Sequence, residues 1–150
     1  MYDLNALQED GFLLIPELAP AGLLEEFEAD INRFSGELCR KLSFEADHPD
    51  PLSDLFFRGG RFRKVLYQTI QGLPSLHAIA RHAFDKLSEA GLFEQMNYDT
   101  PVYNYSLRVD LPGEDRFQLD MHQDYASMVC EKSWRIWLPL RAVDGFHGSM

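Results

Sequence analysis

The chain is predicted to be α+β: a mainly helical stretch over residues 1–100, then short strands over 101–150 in a mostly antiparallel sheet, all in a single domain. Three observations predict this. Apolar residues recur at spacings of three and four through the first hundred positions. Near residue 100 the period changes to two, as in Tyr103, Tyr105, Leu107, Val109 and Leu111. Helices gathered before consecutive short strands, with no β–α alternation, argue against a parallel sheet.

Asp3 or Asn5 is a candidate cap for a short first helix through Leu7 and Glu9, with Gly11 placed to stop it. Phe12 to Ile15, an apolar run between Gly11 and Pro16, is short enough to be a strand. Pro20 opens an amphipathic helix with Leu23, Leu24, Phe27, Ile31, Phe34 and Leu38 on one side. Glu25, Glu26, Glu28 and Asp30 sit near its positive end. Glu45 to Ser53 is expected to be a loop because of Pro49 and Pro51. A helix follows Gly59-Gly60 with Phe62, Val65, Leu66 and Ile70 on one face, broken by Gly72 and Pro74. Another runs from about Ser75 to Ala90 through Leu76, Ile79, Ala80, Ala83, Phe84 and Leu87, and Gly91 ends it. Strands are expected over Tyr103–Leu111, Phe117–Met121 and Trp134–Leu140.

Charge narrows the partners. The 150 residues hold 24 acidic and 14 basic side chains, a formal net charge of −10 and a pI near 4.8. A surface of that sign repels phosphate backbones, so neither nucleic acid nor an anionic membrane is expected to bind. The longest apolar runs, such as Gly11 to Ile15, are far too short to span a bilayer, and no leader pattern stands at the start. Cys39 and Cys130 form no CxxC pair and no disulfide framework. A soluble, cytoplasmic, reduced protein is expected.

His122-Gln123-Asp124 is the segment with a specific chemical meaning. On a strand, residues i and i+2 project from the same face, so an imidazole and a carboxylate stand side by side. Neutral nitrogen plus anionic oxygen supplies two corners of a 2-His-1-carboxylate site for Fe(II). The spacing alone is common by chance, and a half-buried histidine beside a solvated aspartate is its bland alternative. Its setting, between one clean strand and another, is that of a barrel mouth.

Context adds a resemblance. LRVDLPGEDRFQLDMHQDYASM followed by SWRIWLPLRAVDGFHGSM resembles the phytanoyl-CoA dioxygenase family of Fe(II)/2-oxoglutarate oxygenases. The marks of that family stand here in order: Leu107-Arg108, His122-Gln123-Asp124-Tyr125, Trp137-Leu138-Pro139-Leu140 and Gly148. The opening LQEDGFLLIPELAPAGLLEEF is similar to the family's first helix, DGF-type strand and next helix. The resemblance implies N-terminal helices packed on an antiparallel double-stranded β-helix (a cupin-like jelly roll). It also implies Fe(II) bound by His122 and Asp124, and a 2-oxoglutarate pocket lined by the indole of Trp137. The implied activity is dioxygenase hydroxylation of a C–H bond in a small-molecule substrate, with release of succinate and CO2.

The family's distal histidine and its 2-oxoglutarate arginine have no counterpart here. His147 is the one histidine after Asp124 and falls at a turn, and Arg141 comes too early. The expected barrel is therefore incomplete at its C-terminal side, and its open edges are expected to drive self-association. The alternative is a non-catalytic binding or scaffold domain of the same ancestry. Other features have plainer explanations: Arg58 to Lys64 as a solvated helix start, His77 and His82 as residues on different helix faces, Tyr103 and Tyr105 as packing under the helices.

Overall fold

A computed structural model of the chain describes residues 7, 9–42, 51–57, 60–97, 105–109, 135–141 and 143. The chain divides into two compact units, Met1–Arg108 and Val109–Met150. Helix makes up 67% of the described residues, and no strand is found among them. This overturns the expected antiparallel sheet and the double-stranded β-helix. The argument for self-association through open barrel edges falls with them.

Among the described residues of the first unit, these helices follow one another: α1 (Ala21–Lys41), α2 (Pro51–Phe57), α3 (Gly60–Gln71), α4 (Pro74–Glu89) and α5 (Leu92–Gln95). Leu7, Glu9 and Asp10 are also helical, and Gly11 stops that turn as expected, at φ 78° with its N–H on the Leu7 carbonyl at 3.1 Å. The longest helix, α1, packs against α2 and α4, α2 packs against α3, and α4 packs against α3 and α5.

Helix α1 begins after Pro20, as its spacing predicts, and buries Phe27, Ile31, Ser35 and Cys39, each one turn further along. Its acids begin only in the second turn, whereas Arg40 and Lys41 occupy the last turn, where the helix dipole favours cations. Pro51 starts a helix instead of sitting in the expected loop. At the first helical position proline sacrifices no intrahelical bond, and its fixed φ suits the turn.

Phe56 of α2 is 0% exposed and lies edge-to-face with Tyr67 of α3, at 5.2 Å and 79°. Leu66 and Ile70 of α3 are buried with it, but the expected neighbour Val65 faces solvent. Arg63 takes the buried place, 6% exposed, its guanidinium 5.0 Å from the Phe56 ring centroid and 5.8 Å from that of Tyr67. A cation on aromatic faces, with an aliphatic stem to bury, explains why an arginine belongs to this face. In α4, which starts at Pro74, the buried side chains are Ser75, Leu76, Ile79, Ala83 and Leu87. Gly91 then takes φ 70° to turn the chain into α5, where Phe93 meets Phe84 at 4.9 Å.

Where their residues are described, the strand expectations fail for a shared reason. Residues 12–15 run unbent, with Phe12 and Leu14 exposed and Leu13 and Ile15 half-buried. Residues 105–109 likewise alternate between half-buried and exposed. Period two is present in both, but a strand needs a neighbour to complete its ladder, and alternation does not supply one. In 135–141 even the alternation is lost, because Arg135, Ile136 and Trp137 are all exposed. The expected strand over Phe117–Met121 lies outside the described residues.

Two outcomes test this core. Phe56→Ala should lower the unfolding free energy by about 3–5 kcal/mol in urea titration, from lost transfer energy and a residual cavity. Ser35 is fully buried and its hydroxyl has no hydrogen-bond partner. Ser35→Ala removes an orphaned polar group from a helix interior and should therefore raise stability by about 1 kcal/mol in the same assay.

Candidate functional site

His122 and Asp124 lie outside the described residues, as do Tyr98, Tyr103, Tyr125, Cys130 and His147. Trp137 belongs to the second unit, in a segment without regular secondary structure, and is 51% exposed beside exposed Ile136 and half-buried Leu138. Arg141 is exposed. The donor set of the HxD motif, one neutral imidazole nitrogen and one carboxylate, suits Fe(II) by its chemistry. Among the described residues no three His, Cys, Asp or Glu side chains converge on a point that could hold a metal ion. Of the expected site residues, Trp137 lies within the described residues, and its ring is accessible to solvent.

The first unit assembles two polar clusters that are invisible in the local sequence pattern. In one, the Tyr105 hydroxyl lies 2.5 and 2.9 Å from the two ring nitrogens of His77 on α4. The rings meet edge-to-face at 5.2 Å and 86°. The hydroxyl is also 3.4 Å from the carbonyl oxygen of Gln71, the last residue of α3. A phenol can donate one proton at a time. It serves whichever imidazole nitrogen is unprotonated, or the helix-end carbonyl, which has no partner in the next turn. Tyr105 thus ties the residues leading to Leu107-Arg108 onto the junction of α3 and α4. The expectation that Tyr105 packs under the helices holds in part: the ring is half-buried, and the hydroxyl reaches an exposed histidine.

In the second cluster, Ser75 Oγ donates to Asp30 Oδ2 at 2.7 Å, joining α4 to α1, while exposed Arg33 donates to Asp30 Oδ1 at 2.6 Å. Ser75 is buried, so its hydroxyl depends on that carboxylate, whereas the Arg33 contact is a surface pair of small worth. The sequence separation is 45 residues for Asp30 and Ser75 and 28 for Tyr105 and His77. No helical or strand period relates partners that distant. His82, five residues from His77, is exposed on another face of α4, as its spacing predicts. Of the expected basic helix start, Lys64 is exposed but Arg63 is buried between aromatic rings.

Asp30→Ala should cost about 1–3 kcal/mol in denaturant unfolding, because it strands the Ser75 hydroxyl, while Arg33→Ala should change stability by less than about 1 kcal/mol. Tyr105→Phe keeps the ring and removes the donor. It should cost about 1 kcal/mol and shift the His77 imidazole resonances in nuclear magnetic resonance spectra. No protein-family model, no curated protein and no solved structure matches the chain.

Proposed function

We propose that the chain carries the histidine–carboxylate pair of a non-haem Fe(II)- and 2-oxoglutarate-dependent oxygenase that acts on a small molecule. The single observation that supports this is an ordered motif set. Leu107-Arg108, then His122-Gln123-Asp124-Tyr125, then Trp137-Leu138-Pro139-Leu140 follow one another in the order that marks the phytanoyl-CoA dioxygenase family. Each motif alone is weak, and their order is what carries weight.

The residues have distinct tasks. His122 would give the metal a neutral imidazole nitrogen, and Asp124 an anionic oxygen that offsets part of the ion's charge. Trp137, its ring open to solvent, would lie against the carbon skeleton of 2-oxoglutarate and keep water from that side. When bound, Fe(II) with 2-oxoglutarate would activate dioxygen, one oxygen atom entering an unactivated C–H bond of the substrate and the other entering succinate as CO2 is released. The acidic surface disfavours nucleic acid as a substrate.

Anaerobic Fe(II) titration of the protein, followed by 2-oxoglutarate addition, tests the proposal. Binding should weaken at least about tenfold in His122→Ala and in Asp124→Ala, since even second-shell changes cost that much at metal sites. Adding 2-oxoglutarate to the iron-loaded protein should produce a visible charge-transfer band, and Trp137→Ala should weaken that response while leaving iron affinity intact. Iron binding indifferent to His122→Ala would overturn the proposal. Iron binding with no response to 2-oxoglutarate would favour the non-catalytic alternative.

A further inference from the structure

The contact between Tyr105 and His77 has a chemical use besides its structural one. The hydroxyl lies 2.9 Å from Nε2 and 2.5 Å from Nδ1 of the imidazole, the reach over which a base takes a proton from an attacking oxygen. A phenol that keeps its proton is a weak nucleophile, and an adjacent base is a common means of activating one. Neutral imidazole bears a lone pair on one ring nitrogen, and because the hydroxyl reaches both, either tautomer presents an acceptor. The Gln71 carbonyl oxygen, at 3.4 Å, helps to place the phenol oxygen, but an amide carbonyl is too weak a base to take its proton. The base is held in position: His77 is in the first turn of the 16-residue helix α4, its N–H bonded to the Leu73 carbonyl at 3.2 Å. Its ring meets that of Tyr105 edge-to-face at 86°. Tyr105 is half-buried and His77 exposed, so the pair combines an anchored ring with a base that meets solvent.

We propose that Tyr105 and His77 form a nucleophile–base pair whose phenol oxygen accepts acyl groups from activated esters. The Tyr105 oxygen attacks the ester carbonyl while its proton passes to a His77 ring nitrogen. A carbon–oxygen bond to Tyr105 forms, the bond to the leaving oxygen breaks, and the imidazolium gives the proton to that oxygen. The product is an ester of Tyr105, and no oxidant or reductant takes part. Both residues belong to the first unit, and neither has a role in the iron reading.

Incubation with 4-nitrophenyl acetate tests this, with nitrophenol release followed by absorbance and the acetylated residue located by peptide mass spectrometry. Acetylation of Tyr105 should be at least about 100-fold slower in His77→Ala, the usual worth of a positioned base. His77→Gln keeps a hydrogen-bonding partner but no base, and should be as slow, which separates proton transfer from mere positioning. Free imidazole should restore part of the rate in His77→Ala, because the vacated place is at the surface. Acetylation of Tyr105 no faster than that of half-buried Tyr67, or unchanged in His77→Gln, would overturn the proposal. So would nitrophenol release undiminished in Tyr105→Phe, since the imidazole itself would then be the attacking group.

Discussion

Phe56 sits where α2 and α3 need the same volume. Its ring is wholly buried in α2, Tyr67 of α3 meets it edge-on, and the Arg63 guanidinium lies over it. A seven-residue helix has too few internal bonds to stand alone, so α2 exists because this ring and its neighbours Leu52 and Leu55 are buried. In turn, α2 gives α1 and α3 a common surface. The buried stripe of α1 packs against α2 and α4, and α3 rests on α2 with Leu66 and Ile70 inward. Burial here is a joint property of helices that propensity alone would leave marginal.

The polar contacts of the unit have a different task. Apolar packing is non-directional and tolerates small slides between helices. The Ser75–Asp30 bond fixes the start of α4 against the middle of α1, and the Tyr105 hydroxyl fixes the incoming chain against His77 and the end of α3. A handful of directional bonds at helix ends therefore selects one arrangement among several that would bury similar area.

How much of this could be read from the residues depends on the range of the physics involved. Helical stripes are local, and Phe27, Ile31, Leu76, Ile79 and Leu87 were legible from spacing, as were the stops at Gly11 and Gly91. Proline was ambiguous: Pro51 breaks a ladder but also begins a helix, and the second role prevails here. The α3 face was misjudged by about one position, because hydrophobicity alone gives no reason to bury Arg63 in place of Val65. Strands were over-read for a deeper reason. The alternation at 12–15 and 105–109 is real in the exposure of the side chains, yet a ladder requires a second segment whose identity is not encoded locally. Of the residues proposed for iron and 2-oxoglutarate, Trp137 is within the described residues, in a segment without regular structure, and His122 and Asp124 are outside them.

Proline marks the start of three helices, as the residue before α1 (Pro20) and as the first residue of α2 (Pro51) and of α4 (Pro74), with no side-chain cap at α1 or α4. A pyrrolidine ring restricts the backbone before folding as well as after it. The denatured ensemble is therefore already narrowed at the points where coil must become helix, and less freedom is lost there on folding. Boundaries set by ring closure also do not respond to acidity or ionic strength, unlike boundaries set by an ionised cap, so where each of these helices begins is the same in acid as at neutrality.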